Sequence, residues 1–338
     1  MAQRKHPKPI NIRDIHIKFA SEEHCLRYVE QMKWPDGVVR CPSCGDRNIK
    51  KYERPQTEPK RRKLESEVAR PGQVNRRHWF YICLNADCRQ QFSPTSGTLF
   101  ADSHLPLIVW FHAIGLLLNA KKGISAKQLQ RDLGLGSYKT AWYLNHRIRE
   151  AMQDQIPAPL GGIVEIDETY VGGRVRGKGQ KVASDKKLVV MGAVQRGGEI
   201  RFQHVPGANV GTFRDFITAN IGDDVERVMT DQHRAYPGAL APKFTDRHKT
   251  VNHIIGEYVR GDIYTNSIES AFSLLKRGVI GQFHKLSGKH LHRYLREFEY
   301  RFNRRHDDDV FIQTVRRLCG FKPLRFADLT ADPVEEPF

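Results

Sequence analysis

No stretch of this chain approaches the roughly 20 consecutive apolar residues that a membrane-spanning helix needs. The most apolar segment, Leu105 to Leu118, is short and carries Pro106 and His112, so it reads as a core helix. The N-terminus, Met1-Ala2-Gln3-Arg4-Lys5-His6-Pro7, lacks the apolar core of a secretory signal, and the expected location is the cytosol. Internal repeats are absent as well. Acidic residues are in deficit, since lysine and arginine exceed aspartate and glutamate by 17. Either an anionic membrane surface or a nucleic acid would answer that imbalance; with no membrane segment, nucleic acid leads. At 338 residues and near-average composition the chain has room for two or three domains and a substantial core.

Cysteine is scarce too, six in all, and its placement argues against disulfides. Cys41-Pro42-Ser43-Cys44 and Cys83-Leu84-Asn85-Ala86-Asp87-Cys88 are close pairs at the two ends of a long loop. Tetrahedral zinc accepts four thiolates, and such spacing lets one tight turn deliver two of them. Cys41, Cys44, Cys83 and Cys88 are therefore expected to hold a structural Zn2+, with no position left open for chemistry. A redox dithiol would need a single pair. Cys25 and Cys319 lie far from both pairs and read as ordinary buried thiols. Between the pairs, Lys50 to Arg77 is a strongly basic insertion containing Lys60-Arg61-Arg62-Lys63, which reads as a solvated loop.

Ser21 to Met32 is a helical segment with Ser21 as its N-cap. From Leu105 to Met152 the pattern is helical, broken at Lys122-Gly123 and at Gly134-Leu135-Gly136. Ile124 to Leu135 followed by Ser137 to Arg149 suggests two short helices around a glycine turn. Ala141, Leu144 and Ile148 would face inward, leaving Tyr138, Lys139, Tyr143, His146 and Arg147 for phosphates or base edges. An ordinary helical hairpin with a solvated face fits the same pattern. After the boundary at Pro157, Pro159 and Gly161-Gly162, strands are expected at Ile163 to Val171, Lys187 to Gln195 and Glu199 to Val205, with Arg196-Gly197-Gly198 as the hairpin turn of the last two. A helix at Thr212 to Asn220, strands at Arg227 to Thr230 and His248 to Asn252, and a basic amphipathic helix from Lys289 to Arg305 complete the order of a ribonuclease-H-like α/β domain.

Acidic side chains mark this second half. Glu165, Asp167 and Thr169 share one strand face by period two, and Asp231 follows the strand ending at Thr230. Clustered carboxylates repel unless a cation or solvent offsets them, and magnesium or manganese is the natural remedy. In Thr265 to Arg277, Ile268, Phe272, Leu275 and Val279 recur at helical spacing and would be buried, which puts Asn266, Glu269, Ser273 and Lys276 on the opposite side. Asp167 on an exposed strand face and Asp231 as a helix N-cap are the plainer alternatives. Lys276 and Arg277 read either as phosphate contacts or as solvated charges. His233, His253, Tyr258 and Arg260 are weaker candidates for contacts to DNA.

Cys41-Pro42-Ser43-Cys44, Phe92-Ser93-Pro94-Thr95-Ser96-Gly97-Thr98, Ile166-Asp167-Glu168-Thr169-Tyr170-Val171-Gly172-Gly173, Thr230-Asp231 and Thr265-Asn266-Ser267-Ile268-Glu269 running to Gly278 together resemble the DDE-type transposases of bacterial insertion sequences that carry an N-terminal zinc ribbon. The likeness continues through Lys289-His290-Leu291-His292-Arg293-Tyr294 to Phe302-Asn303-Arg304-Arg305 and covers most of the chain. It implies an integrase-like core in which Asp167, Asp231 and Glu269 bind two Mg2+ (or Mn2+) ions. Water would cut a DNA strand at the element's end, and the freed 3′ hydroxyl would attack target DNA with no covalent enzyme intermediate. Parts of that family have an asparagine assigned at the third position, and Asn266 is available. Glu269 is favoured because an anion neutralises metal charge better and because Lys276 then falls at the seven-residue offset familiar in the superfamily.

The expected architecture is a multidomain α/β chain: an N-terminal helical segment (1–35), a zinc ribbon with its basic insertion (36–100), a helix-turn-helix region (101–157), a ribonuclease-H-like catalytic core with a mixed sheet (158–320) and a tail (321–338). The implied partners are double-stranded DNA, at the element ends and the target, and further copies of the chain in a synaptic complex on the nucleoid. The rivals are a catalytically silent DNA-binding descendant, against which three intact acids speak, and a ribonuclease-H-like nuclease or resolvase, which would not need the zinc and helix-turn-helix modules.

Overall fold

A computed structural model of the chain describes residues 10–53, 79–154, 156–172, 187–251, 260–284 and 286–331. Most of the basic insertion, including Lys60 to Lys63, lies outside the described residues, as do Gly173, His253 and Tyr258. The strands are β1 (Ile49–Glu53), β2 (Trp79–Cys83), β3 (Gln91–Phe92), β4 (Leu160–Val171), β5 (Leu188–Gln195), β6 (Ile200–Val205), β7 (Ile221–Thr230) and β8 (His248–Thr250). The helices are α1 (Ile12–Lys18), α2 (Glu22–Lys33), α3 (Leu107–Asn119), α4 (Ala126–Asp132), α5 (Tyr138–Ala151), α6 (Val210–Asn220), α7 (Ala235–Leu240), α8 (Asn266–Gly278), α9 (Gly288–Asn303), α10 (Val310–Gly320) and α11 (Phe326–Thr330). They divide into two compact units, Met1–Met152 with Asp307–Ala331, and Gln153–His306.

In the first unit, β1, β2 and β3 form an antiparallel sheet, so the opening residues of the basic insertion are strand rather than loop. Ser21 caps α2 by accepting the His24 amide. The buried Glu22 carboxylate reaches the start of α3 and accepts the Leu107 and Ile108 amides at 2.8 and 3.2 Å. Helix α3 begins after Pro106, which offers no side-chain acceptor, so Glu22 satisfies its first amides and meets the positive end of its dipole. Ser125 and Ser137 cap α4 and α5, and Gly134 turns the chain between them at φ +60°, a conformation that other residues adopt only with strain.

The expected core boundary at 320 is corrected by α10. This helix packs in the first unit, where the Leu99 amide donates to the Leu318 carbonyl at 3.0 Å, Arg317 Nε donates to the Ala151 carbonyl at 2.8 Å, and Phe311 joins Phe19 and Phe111 in one ring cluster. An amphipathic pattern shows that a helix has a buried face but not which surface covers it. The expected tail (321–338) supplies α11. Its Phe326 ring sits edge-on to Tyr143 and under the Lys139 ammonium. Cys25 and Cys319 are buried thiols, as expected, and burial pushes both up to about 12.

The second unit is a five-stranded sheet in the order β6-β5-β4-β7-β8. β4, β5 and β6 pair antiparallel, while β7 runs parallel to β4 and β8 parallel to β7. This mixed sheet is a ribonuclease-H-like core. Alternation along β5 sends Val189, Met191 and Ala193 into one apolar layer with α6 and α7, and Val190 and Val194 into another with α8 and α9. Gly192 lies on the α8 side, opposite Asp167 in the register. A Cβ there would come within 2.8 Å of Ile268 Cδ1 and Phe272 Cζ, so the absent side chain is what lets α8 approach the sheet. Among the described residues no helix is long and apolar enough to cross a membrane.

On α9, Glu299 accepts the Phe202 amide at 3.0 Å. Burial pushes its carboxyl up to about 7 against the opposing pull of that amide and of Arg201. The folded protein thus keeps a proton that the unfolded chain releases near 4.5. The stability this group contributes is complete below that value and is lost as pH rises through about 7. Urea midpoints measured across this range should fall with pH less steeply in Glu299→Gln, which keeps the acceptor but cannot ionise. Equal slopes in the two proteins would refute the assignment.

Candidate metal centres

The four paired cysteines converge. Sγ of Cys41 lies 3.6 Å from that of Cys88, Sγ of Cys44 lies 3.6 Å from that of Cys83, and all four thiols are within 4.8 Å of one another. Bond lengths of about 2.3 Å in a tetrahedron place sulfurs about 3.8 Å apart, so the donor set fits structural zinc. The pairing of β1 with β2 and the Cys41–Gly45 turn, in which the Gly45 amide donates to the Cys41 carbonyl at 2.9 Å, bring the knuckles together.

In the second unit Asp167 stands on β4 and Asp231 just beyond the end of β7, and the parallel pairing of these two strands brings the two acids together. Carboxylate oxygens of Asp167, Glu168 and Asp231 lie within 4.8 Å of one another. Burial first, then the Glu168 and Asp231 charges and, more weakly, Glu269, push Asp167 up to about 8 against the pull of the Glu168 amide. Burial also raises Glu168, although Tyr236 donates to it. Three half-buried acids this close carry a repulsion that a divalent cation would remove, and as an all-oxygen donor set they suit a hard one. Asp231 does not meet its plainer reading as a helix N-cap: the next helix starts at Ala235 with Arg234 at the cap position and no side-chain cap, and Asp231 Oδ1 accepts the His233 amide at 3.0 Å in the turn before it.

The α8 helix sorts its faces as its spacing predicts. Ile268, Phe272, Leu275 and Val279 are buried, whereas Asn266, Ser273 and Lys276 are exposed and Glu269 is half-buried. Glu269 stands outside the 4.8 Å group, accepts the Thr265 hydroxyl at 2.9 Å and adds to the field that raises Asp167. Arg277 is exposed and donates to the Ser273 carbonyl.

Glu168 was not singled out from sequence, because period two points it away from Asp167; the signal was its adjacency to that acid. Glu165 does share Asp167's face, yet it has other partners. It is fully buried, pairs with Arg196 at 2.7 Å, and accepts the Ser267 and Ile268 amides at 2.8 and 3.1 Å. Arg196 in turn donates to the Asp262 and Tyr264 carbonyls and stacks on the Tyr264 ring.

The helix-turn-helix candidates divide. Tyr138 and Lys139 are exposed at the start of α5. His146 and Arg147 are buried, which corrects the expectation that they are available to DNA. Arg147 lies against the Trp110 and Tyr143 rings, and the Tyr143 hydroxyl donates to the Leu324 carbonyl. Helical periodicity leaves that side open because the groups that meet Arg147, the Trp110 ring of α3 and the Ala101 carbonyl, are distant in sequence.

A four-cysteine ribbon, two helices about a glycine turn, and a ribonuclease-H-like sheet with clustered acids at its central parallel strands make up the architecture of a transposase. The transposase zinc-ribbon domain matches residues 20–65, and the ISXO2-like transposase domain matches residues 159–303. The first match covers Cys41 and Cys44 and stops inside the insertion, before the second pair that the fold brings alongside. An uncharacterized protein in transposable element ISH50 of Halobacterium salinarum is 30% identical over 301 residues, 84% of this chain and 91% of its own length. The chain belongs to the ISXO2-like transposase family of insertion elements.

Two outcomes follow. Breaking a buried ion pair by removing one partner costs about 3–5 kcal/mol, so Glu165→Ala should lower the urea-unfolding free energy by that order, and a loss under about 1 kcal/mol would contradict the anchoring role. Purified protein should hold about one zinc per chain by elemental analysis, as one tetrahedral four-thiolate site requires. Cys83→Ser should lose it together with thermal stability, and unchanged zinc content would exclude the site.

Proposed function

We propose that this protein is the transposase of an insertion sequence, binding the element's terminal inverted repeats and catalysing divalent-metal-dependent DNA strand cleavage and strand transfer. The observation that carries the reading is the convergence of Asp167, Glu168 and Asp231 within 4.8 Å in a chain of a transposase family. Magnesium or manganese held there would supply charge neutralisation and activate the attacking oxygen.

Asp167 and Asp231 hold the site from adjacent parallel strands, and Glu269 contributes a third family acid from the facing helix. In cleavage, a water oxygen bonds to the phosphorus at the element's end, the bond from phosphorus to the 3′ oxygen breaks, and that oxygen leaves as a 3′ hydroxyl. In transfer this hydroxyl attacks a target phosphodiester, displacing the target's own 3′ oxygen, so the number of ester bonds is conserved. Lys276 and Arg277, exposed on α8, take DNA phosphates, with Asn266 as the alternative third-position residue. Tyr138 and Lys139, exposed at the start of α5, contact the terminal repeats, while Tyr143, His146 and Arg147 support that helix from behind. The net charge of +17 favours the polyanion, and two element ends held at once call for more than one copy of the chain. The site of action is the cytosolic nucleoid.

The test is cleavage and joining of a labelled element-end fragment with magnesium. Asp167→Ala, Asp231→Ala and Glu269→Gln should bind the fragment but lose cutting by about 1000-fold, the scale of several kcal/mol of metal-assisted stabilisation. If Asn266→Ala alone is inactive, the third position moves there. Wild-type binding without metal-dependent cutting would replace the enzyme reading with a DNA-binding one, and cutting without joining would indicate a nuclease.

A further inference from the structure

Glu168 belongs by period two to the sheet face that carries Val164 and Ile166, the face packed by α6 and α7. On that face it has two partners. Tyr236 is fully buried, its ring 4.8 Å from that of Phe213, and its hydroxyl donates to Glu168 Oε2 at 2.8 Å. His233 lies near the same phenylalanine, and its Nδ1 accepts the Ala235 amide at 3.2 Å. That hydrogen bond leaves Nε2 as the ring nitrogen facing Glu168 Oε1, at 4.0 Å. The backbone amide of His233 also donates to Asp231 Oδ1. One short segment, Asp231 to Tyr236, therefore supplies one cluster carboxylate and brackets a second.

We propose that Tyr236 and His233 are positioning residues of the acidic metal site, holding Glu168 as a working carboxylate of that site beside Asp167 and Asp231. The inference rests on the reading of those three acids as a divalent-metal site. Left alone, a glutamate beside two other carboxylates relieves repulsion by rotating away. A phenol locked in a packed core opposes the rotation, because turning away would break its hydrogen bond and leave a buried hydroxyl without an acceptor. Outer-shell groups that orient metal-binding side chains commonly change metal affinity by about 10- to 100-fold.

The experiment is Mn2+ binding to the full-length protein without DNA, read from the electron paramagnetic resonance signal of free Mn2+, for wild type, Glu168→Gln, Tyr236→Phe and His233→Gln. Thermal unfolding in metal-free buffer accompanies each. Tyr236→Phe keeps the ring and deletes only the hydroxyl. It should weaken Mn2+ binding about tenfold or more and raise the Mn2+ needed for half-maximal cleavage by the same factor, with the rate recovered at saturating metal. Glu168→Gln should weaken binding at least as much. If Tyr236→Phe fails to fold, His233→Gln, on a partly exposed ring, decides by the same readout. Wild-type affinity in the variants overturns this inference alone; a wild-type protein that binds no Mn2+ overturns the metal-site reading and this inference with it.

Discussion

A buried carboxylate shared between a guanidinium and a helix end organises the second unit. Glu165 has no exposure and two kinds of partner, the Arg196 guanidinium and the first amides of α8. An ion taken out of water is costly unless its partners are nearly ideal. Here the cost is offset by an Arg196 that also ties down the Asp262 and Tyr264 carbonyls, and by a helix end with no side-chain cap of its own. The knot fixes where α8 starts, and the bare Gly192 sets how closely the helix can lie. With both end and depth set, the position of Glu269 relative to Asp167 follows from helical geometry.

Parallel pairing of β4 with β7 makes the complementary contribution. Asp167 and Asp231 are far apart in the chain, yet register places them side by side, and Glu168 joins them from the other face of its strand. The result is unfavourable by itself: burial first, and then the neighbouring carboxylate charges, push Asp167 up. Folded proteins keep such clusters where function requires them, and the apolar layers on both faces of the sheet supply the stability that the cluster takes away.

The first unit solves a different problem. Its sheet has only three short strands, and a zinc ion held by the four converging thiols would add the cross-linking that so small a core lacks. The surrounding helices are joined by local polar devices, Glu22 capping α3 and serines capping α2, α4 and α5.

Much of this was legible because it depends on residues close in sequence. The α8 faces, the two cysteine knuckles, the Ser21 cap and the succession of strands along the second half come from periodicity and spacing that single segments carry. What the segments could not reveal were partners distant in sequence. Helix α10 shows an apolar face but not the surface that covers it. His146 and Arg147 have the polarity of a DNA-reading face, yet their side of α5 is buried in the folded unit. Glu165 and Asp167 share a strand face, but Glu165 anchors a helix while Glu168, from the opposite face, joins the acids. By itself, then, the sequence determined the two faces of α8, the paired cysteine knuckles, the main strands of the second unit and the chemistry of the polar residues, because those properties follow from short-range backbone geometry. Only the tertiary structure decided which carboxylates meet, because strand register and helix depth are set by contacts between residues far apart in the chain.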